Sequence, residues 1–141
     1  MKYLISVLLL CFATNTLAAD ITVEMLNKRK SDNAVMVYSE DISRIDVGDT
    51  ITWVPTTKGH NVHFLAGPEG WQIPKKSKFN KEISMTFDIP GIYFYQCTPH
   101  KSMGMIALIV VGGDTSNKDA IAKVRVMGKS KKKLPKLLEQ L

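Results

Sequence analysis

Residues 91–111 read GIYFYQCTPHKSMGMIALIVV, and the class of fold is clearest in this segment. It contains two apolar segments, residues 92–96 and 105–111, which are rich in β-branched and aromatic residues. Such segments are typical of β-strands. Pro99 argues against a continuous helix between them, because proline lacks the N–H group that a helix interior requires. We therefore expect two strands joined by a loop.

Similar short segments occupy the chain on the amino-terminal side of this stretch. Turn residues separate them at Asp32-Asn33, Gly48-Asp49, Gly67-Pro68 and Pro90-Gly91. The further predicted strands are residues 21–26, 34–38, 42–47, 50–54, 61–65 and 82–89. Many short strands with regular turns favour an all-β sandwich or barrel.

Residues 114–141 have a different pattern, with many lysines and few β-branched pairs. Apolar residues recur at helical spacing, which predicts two short amphipathic helices packed on the sandwich. The first would start near Asp119 and end at Gly128. We interpret the lysines as a solvated helix face. Nucleic-acid binding is disfavoured because no basic stretch alternates with aromatic residues.

The amino terminus has the pattern of a secretory signal peptide. Lys2 precedes an apolar run over residues 4–12, and small residues stand before Asp20. The run is shorter than the roughly 20 apolar residues of a membrane span, so we expect no membrane anchor. Cleavage after Ala18 or Ala19 fits the pattern, and we favour Ala18. Residues 1–18 would then direct export to the periplasm. A lipoprotein reading of Cys11 is disfavoured by Leu10, where a small residue is expected.

Export changes the meaning of the charge and cysteine counts. The chain has 19 basic and 13 acidic residues, a net charge of +6, and cleavage would remove only Lys2. Cleavage would also leave Cys97 as the one cysteine, although exported proteins commonly use cysteines in pairs. A single thiol in an oxidising compartment is expected to be buried, bound or reactive.

The predicted loop brings metal-binding side chains together in sequence. Cys97 offers a thiolate and His100 an imidazole, and either Met103 or Met105 offers a thioether. We expect a further ligand from His60, at the opening of an earlier strand after the Lys58-Gly59 turn. His63 would face the opposite side of that strand and is interpreted as a surface or outer residue.

This set of donors selects copper over other metals. Two imidazoles and a thiolate with a weak thioether suit copper in both oxidation states. Zinc sites rarely use methionine. A haem attachment needs a second nearby cysteine, and an iron–sulfur cluster needs more thiolates.

Several short motifs resemble those of the pseudoazurins, a family of type 1 blue-copper proteins within the cupredoxins. The motifs are Val47-Gly48-Asp49-Thr50, Gly59-His60-Asn61-Val62, Pro90-Gly91-Ile92-Tyr93, Cys97-Thr98-Pro99-His100 and Met103-Gly104-Met105. The resemblance implies a Greek-key β-sandwich of about eight strands over residues 19–113, with a two-helix extension over residues 114–141. It implies one copper ion held by His60, Cys97, His100 and Met105, with Asn61 and Pro99 around these ligands.

The resemblance also implies a function. The chain would be a periplasmic one-electron carrier, and not an enzyme, because four protein ligands leave no open position on the metal. His100 would reach the surface beside Met103. Six lysines would form a basic ring for an acidic partner: Lys58, Lys75, Lys76, Lys78, Lys81 and Lys101. The implied partners are copper nitrite reductase or nitrous-oxide reductase. The carrier itself is expected to be a monomer. The alternative is a copper chaperone or storage protein.

Overall fold

The computed structural model describes residues 18–141, so most of the predicted signal peptide, residues 1–17, lies outside the described part of the chain. Eight strands are followed by two short helices. The strands are β1 (Asp20–Lys28), β2 (Val35–Tyr38), β3 (Ile42–Ile45), β4 (Thr50–Val54), β5 (His63–Ala66), β6 (Ile83–Thr86), β7 (Gly91–Gln96) and β8 (Ile106–Val111). The helices are α1 (Lys118–Ala122) and α2 (Ser130–Leu138), and a 3₁₀ turn spans Lys101–Met103.

The strands form two four-stranded sheets, with the orders β2-β1-β4-β6 and β3-β8-β7-β5. Both sheets are mixed, since β1 pairs with β4 and β3 pairs with β8 in parallel. The predicted sandwich of about eight strands with a two-helix extension is confirmed. Within residues 18–141, the helices fall short of the length and hydropathy that a membrane span requires.

Aromatic residues dominate the core between the two sheets. Trp53 is fully buried and makes edge-to-face contacts with Phe64 and Tyr95, at centroid distances of 5.7 and 5.5 Å. Such contacts are worth about 0.5–1.5 kcal/mol each beyond the area that they bury. This core supports β5 and β7, the strands that lead out of and into the candidate site.

A second apolar cluster lies on the outer face of β7 and β8. Ile92, Phe94 and Leu108 point outward from the sandwich and are covered by the extension. The extension contributes Ile121, Leu134, Leu137 and Leu138 to this cluster. Both strands are therefore buried on both faces, which explains why residues 106–111 are apolar without alternation.

Several predicted boundaries were wrong, in three strands and one helix. The strands expected over residues 42–47 and 82–89 end at Ile45 and Thr86. The strand expected over residues 61–65 begins only at His63. The first helix ends at Ala122 and not at Gly128. The N–H groups of Lys123 and Val124 bond to carbonyls three residues earlier, as in a tightening last turn. The β-branched Val124 and Val126 also favour helix weakly.

Candidate metal centre

Three side chains from two distant segments converge at one end of the sandwich. Cys97 Sγ lies 3.7 Å from His60 Nδ1 and 3.5 Å from His100 Nδ1. All three donor atoms lie within 4.8 Å of one another, and Cys97 is a free, buried cysteine. The spacing leaves a common centre that a single metal ion can occupy.

The loop between β7 and β8, residues 97–105, is called the ligand loop below. Its two ends are joined because the Cys97 N–H donates to Met105 O at 3.0 Å. The N–H groups of Met103 and Met105 both donate to His100 O, at 2.9 and 3.2 Å. Gly104 ends the 3₁₀ turn at a φ of +99°, a conformation that glycine adopts at low cost. The short loop therefore folds Cys97 and His100 toward each other.

His60 reaches the site from a segment that precedes β5, and the prediction that it opens a strand was wrong. Its backbone carbonyl accepts the Asn80 N–H at 3.0 Å, and its side chain is fully buried. Its ring Nε2 lies 2.8 Å from Asn27 Oδ1. An Nε2–H donated to this amide oxygen leaves the Nδ1 lone pair facing Cys97.

The contact between Asn27 and His60 was not predicted from the sequence. Asn27 is the penultimate residue of β1 and lies 33 positions before His60 in the chain. No motif marks it, because an exposed asparagine near the end of a strand is unremarkable in sequence. Only the parallel pairing of β1 with β4 brings it to the ligand end.

Burial sets the protonation of the three donors. Burial lowers the pKa of His60, helped by the nearby His100, and burial also lowers the pKa of His100. Burial raises the pKa of the Cys97 thiol, against backbone N–H groups of Asn61 and His100 that favour the thiolate. Two neutral imidazoles thus face a thiol that a bound cation would deprotonate. This donor set fits copper.

The two candidate thioethers differ in burial. Met105 is fully buried, and its backbone is hydrogen-bonded to Cys97 and His100. Met103 is 41% exposed. Pro99 is also exposed, on the same loop. The structure therefore places Met105 inside, beside the cluster, and Met103 with Pro99 outside.

Asn61 connects the two segments. Its side chain Oδ1 accepts the Thr98 N–H at 2.8 Å, and its Nδ2 donates to Thr98 Oγ1 at 3.1 Å and to Ser77 O at 3.3 Å. The Tyr38 hydroxyl donates to Asn61 O at 2.8 Å. Asn61 follows His60 and Thr98 follows Cys97, so these hydrogen bonds join the His60 segment to the ligand loop.

His63 lies outside the group of three donor side chains, His60, Cys97 and His100. It lies on β5, while its neighbour Phe64 points into the core between the sheets. Burial lowers the pKa of His63, and Lys76 and Lys101 lower it further. The positive charges of these two lysines therefore act on His63.

The six predicted docking lysines lie in three segments near the ligands. Five are exposed, and Lys101 is half-buried next to His100. The segment that carries four of them is bonded to the His60 segment, since the N–H groups of Ser77 and Asn80 donate to Val62 O and His60 O. The backbone segment that carries these four lysines thus adjoins the segment that carries His60.

Comparisons with known proteins agree with this fold and donor set. A sequence model of the copper binding proteins of the plastocyanin/azurin family matches residues 23–112. Pseudoazurin of Paracoccus pantotrophus is 38% identical over 135 residues, which cover 94% of this chain and 91% of that protein.

Two solved pseudoazurin structures are also similar. That from Methylobacterium extorquens AM1 has a TM-score of 0.77 at 36% identity, and that from Hyphomicrobium denitrificans has 0.78 at 34%. Each alignment covers 86% of this chain and 98% of the other. The chain therefore belongs, with the pseudoazurins, to the copper-binding plastocyanin/azurin family.

Proposed function

We propose that the protein is a one-electron carrier that uses a type 1 copper site. The observation that carries the proposal is the convergence of one sulfur and two imidazole nitrogens at the buried end of the sandwich. Copper, when bound, supplies a Cu(I)/Cu(II) couple. The protein's own part is to hold these donors in one arrangement and to keep water away from them.

We propose Met105 as the fourth ligand. Its full burial and its backbone bonds to Cys97 and His100 support this choice over the exposed Met103. His60, Cys97 and Met105 are all fully buried, so substrate has no route to the metal through them. A site closed by four side chains suits electron transfer and not catalysis on a bound substrate.

We infer that electrons pass through His100, the one proposed ligand that is only half-buried. The exposed Pro99 and Met103 flank it and supply an apolar contact. Residues 19–113 contain ten basic and ten acidic residues, and six of the ten basic ones are the docking lysines. This concentration of positive charge favours a transient, acidic redox partner. Copper nitrite reductase and nitrous-oxide reductase are the proposed partners.

We propose that the carrier acts in the periplasm after cleavage between Ala18 and Ala19. The Ala19 backbone nitrogen lies 2.7 Å from the carboxylate of buried Asp49, so cleavage there would give an ammonium group with a paired carboxylate. Residues 19–113 would form the copper domain and residues 114–141 its extension. The intact mass of protein purified from the periplasm tests this: a first residue other than Ala19 contradicts it.

An absorption spectrum tests the proposed function. Purified protein with one equivalent of Cu(II) should show a strong visible thiolate-to-copper band that ascorbate removes. Cys97→Ser should lose this band and retain its circular dichroism spectrum, because the serine hydroxyl is a poor copper ligand. A fast, reversible one-electron wave at an electrode is expected of a carrier. Absence of the band, or copper that passes to a metal-free acceptor protein without reversible electrochemistry, would overturn the proposal and favour a chaperone.

A further inference from the structure

The start of α2 lies against the ligand loop and bonds to three of its carbonyl groups. The Ser130 hydroxyl donates to Lys101 O at 2.5 Å, and the Lys129 N–H donates to Ser102 O at 2.8 Å. The Lys133 ammonium donates to Gly104 O at 3.1 Å. These carbonyls span the part of the loop between His100 and Met105.

The identities of two residues make this close approach possible. Gly128 has a φ of +56°, and a Cβ atom there would stand 2.2 Å from Ser102 O, so any other residue would push the loop away. Ser130 is fully buried, although serine is usually exposed, and its hydroxyl has the Lys101 carbonyl as partner.

Lys133 anchors the contact to the sandwich. Its ammonium group also pairs with the Asp41 carboxylate at 2.7 Å, and Asp41 pairs with Arg29 at 3.2 Å. The Arg29 guanidinium in turn donates to the carbonyls of Tyr38 and Ser39. The general interpretation of the extension's lysines as a solvated face was therefore wrong for Lys133, whose side chain is 21% exposed.

The ligand loop needs such support because its outer part has little packing of its own. The 3₁₀ turn Lys101–Met103 contains no buried residue. Without the bonds from α2, the three carbonyls would face water and the turn could change shape. His100 directly precedes this turn, and its carbonyl accepts the N–H of Met103 in the turn and the N–H of Met105 just after it, so a shift of the turn would move His100.

We propose that Gly128, Ser130 and Lys133 are positioning residues that fix His100 relative to Cys97 through the backbone of the ligand loop. The inference rests on the proposed function of the cluster as a copper site. It makes the carboxy-terminal extension part of the electron-transfer site and not only a cover for the outer face of β7 and β8.

Two kinds of variant separate positioning from general stabilisation. Ser130→Ala and Lys133→Met remove bonds to the loop. Leu137→Ala is the matched control, because it removes packing of the same helix in the second apolar cluster without a contact to the loop. Lys132→Met, at an exposed position of α2, controls for the loss of a charge.

The first measurement is amide hydrogen exchange in the full chain without copper, which does not depend on the proposed function. In Ser130→Ala and Lys133→Met, the amides of Met103 and Met105 should exchange about tenfold faster relative to core amides of β8, as expected for a lost hydrogen bond. The second measurement is the reduction potential and visible spectrum of the copper-loaded chain. Both should shift in these two variants and stay unchanged in Leu137→Ala and Lys132→Met.

If the amides of Met103 and Met105 exchange at unchanged rates in both Ser130→Ala and Lys133→Met, the inference is overturned. Equal shifts of potential in Leu137→Ala also overturn it, because they would reflect lost stability alone. If the natural chain shows no visible copper band, the proposed function fails, while the exchange measurement still decides whether the extension orders the loop. If Ser130→Ala does not fold, Lys133→Met decides the outcome with the same measurements.

Discussion

The two histidines of the candidate metal centre are held in different ways. His60 is fully buried, and its ring and backbone are bonded to Asn27 and Asn80. His100 is half-buried, and within residues 18–141 its ring has one polar contact, the approach to Cys97. The rings are nevertheless close, with centroids 4.9 Å apart.

This difference separates two tasks within one site. The His60 side is fixed by contacts within the sandwich and presents its nitrogen in a constant direction. In the proposed function, the His100 side stays near the surface so that an electron can leave, and its position depends on the loop and on the residues that support the loop. A site that is rigid and yet accessible can be built by dividing these requirements between two ligands.

Removal of each imidazole should give the largest effect and the sharpest contrast. His60→Gly and His100→Gly should each lower copper affinity at least about a hundredfold, since even outer contacts of metal ligands are worth up to that much. Added imidazole should restore the visible band in His100→Gly, whose vacated space opens toward solvent, and not in His60→Gly. A titration followed by absorbance measures this. Equal rescue of both variants would contradict the difference in access.

Asn61→Ala should remove the hydrogen bonds that join the His60 segment to the ligand loop. It removes three side-chain hydrogen bonds and leaves the partly buried Thr98 N–H without its acceptor, so we expect a loss of about 2–3 kcal/mol in the free energy of unfolding. Urea titration of the metal-free protein measures the loss apart from copper binding. Thr98→Val removes one of these bonds and serves as a graded control. A loss in Asn61→Ala no greater than in Thr98→Val would argue against the connection.

Asn27→Ala should loosen the His60 side alone. Without the amide oxygen at Nε2, the imidazole can rotate and change tautomer, so copper affinity should fall about tenfold. Competition with a chelator of known affinity measures this change. Lys28→Ala, at the exposed next position of β1, should leave the affinity unchanged. The role given to Asn27 fails if the two variants behave alike.

Reversal of the charge of Lys101, next to the half-buried His100, should give the smallest effect, a change in the rate of electron transfer. Lys101→Glu should slow electron transfer to an acidic copper nitrite reductase about fivefold at low ionic strength, and the difference should shrink as salt screens the charges. Lys136→Glu carries the same change on the exposed face of α2 and should have little effect. Equal slowing by both variants would mean that net charge, and not docking at His100, governs the rate.

Local patterns were sufficient to predict much of the fold. The apolar run of residues 106–111 and the segment 91–96 form neighbouring strands, and the strand predicted over residues 50–54 has the observed bounds. Boundaries failed where a strand was predicted beyond the end of its pairing, as at Val47. They also failed in the extension, where helical spacing of apolar residues continued past Ala122 but the helix did not.

The same distinction applies to the site. Cys97 and His100 are three residues apart with a proline between them, so their proximity is a property of the sequence itself. His60 was paired with them from the types of donor that copper requires and from the resemblance to the pseudoazurins. The bond from Asn27 to His60 and the support of the ligand loop by Ser130 and Lys133 have no counterpart in any local pattern.

The β-sandwich, the helical extension and the types of ligand can be read from the order of residues, because strand periodicity, turns and donor chemistry are local properties. Which polar side chains orient those ligands depends on how the elements pack. Hydrogen bonds such as those from Asn27 and Ser130 join residues about 30 positions apart, and they form only after the sheets and helices have packed. Their energies depend on distance and burial, which the order of residues along the chain does not contain.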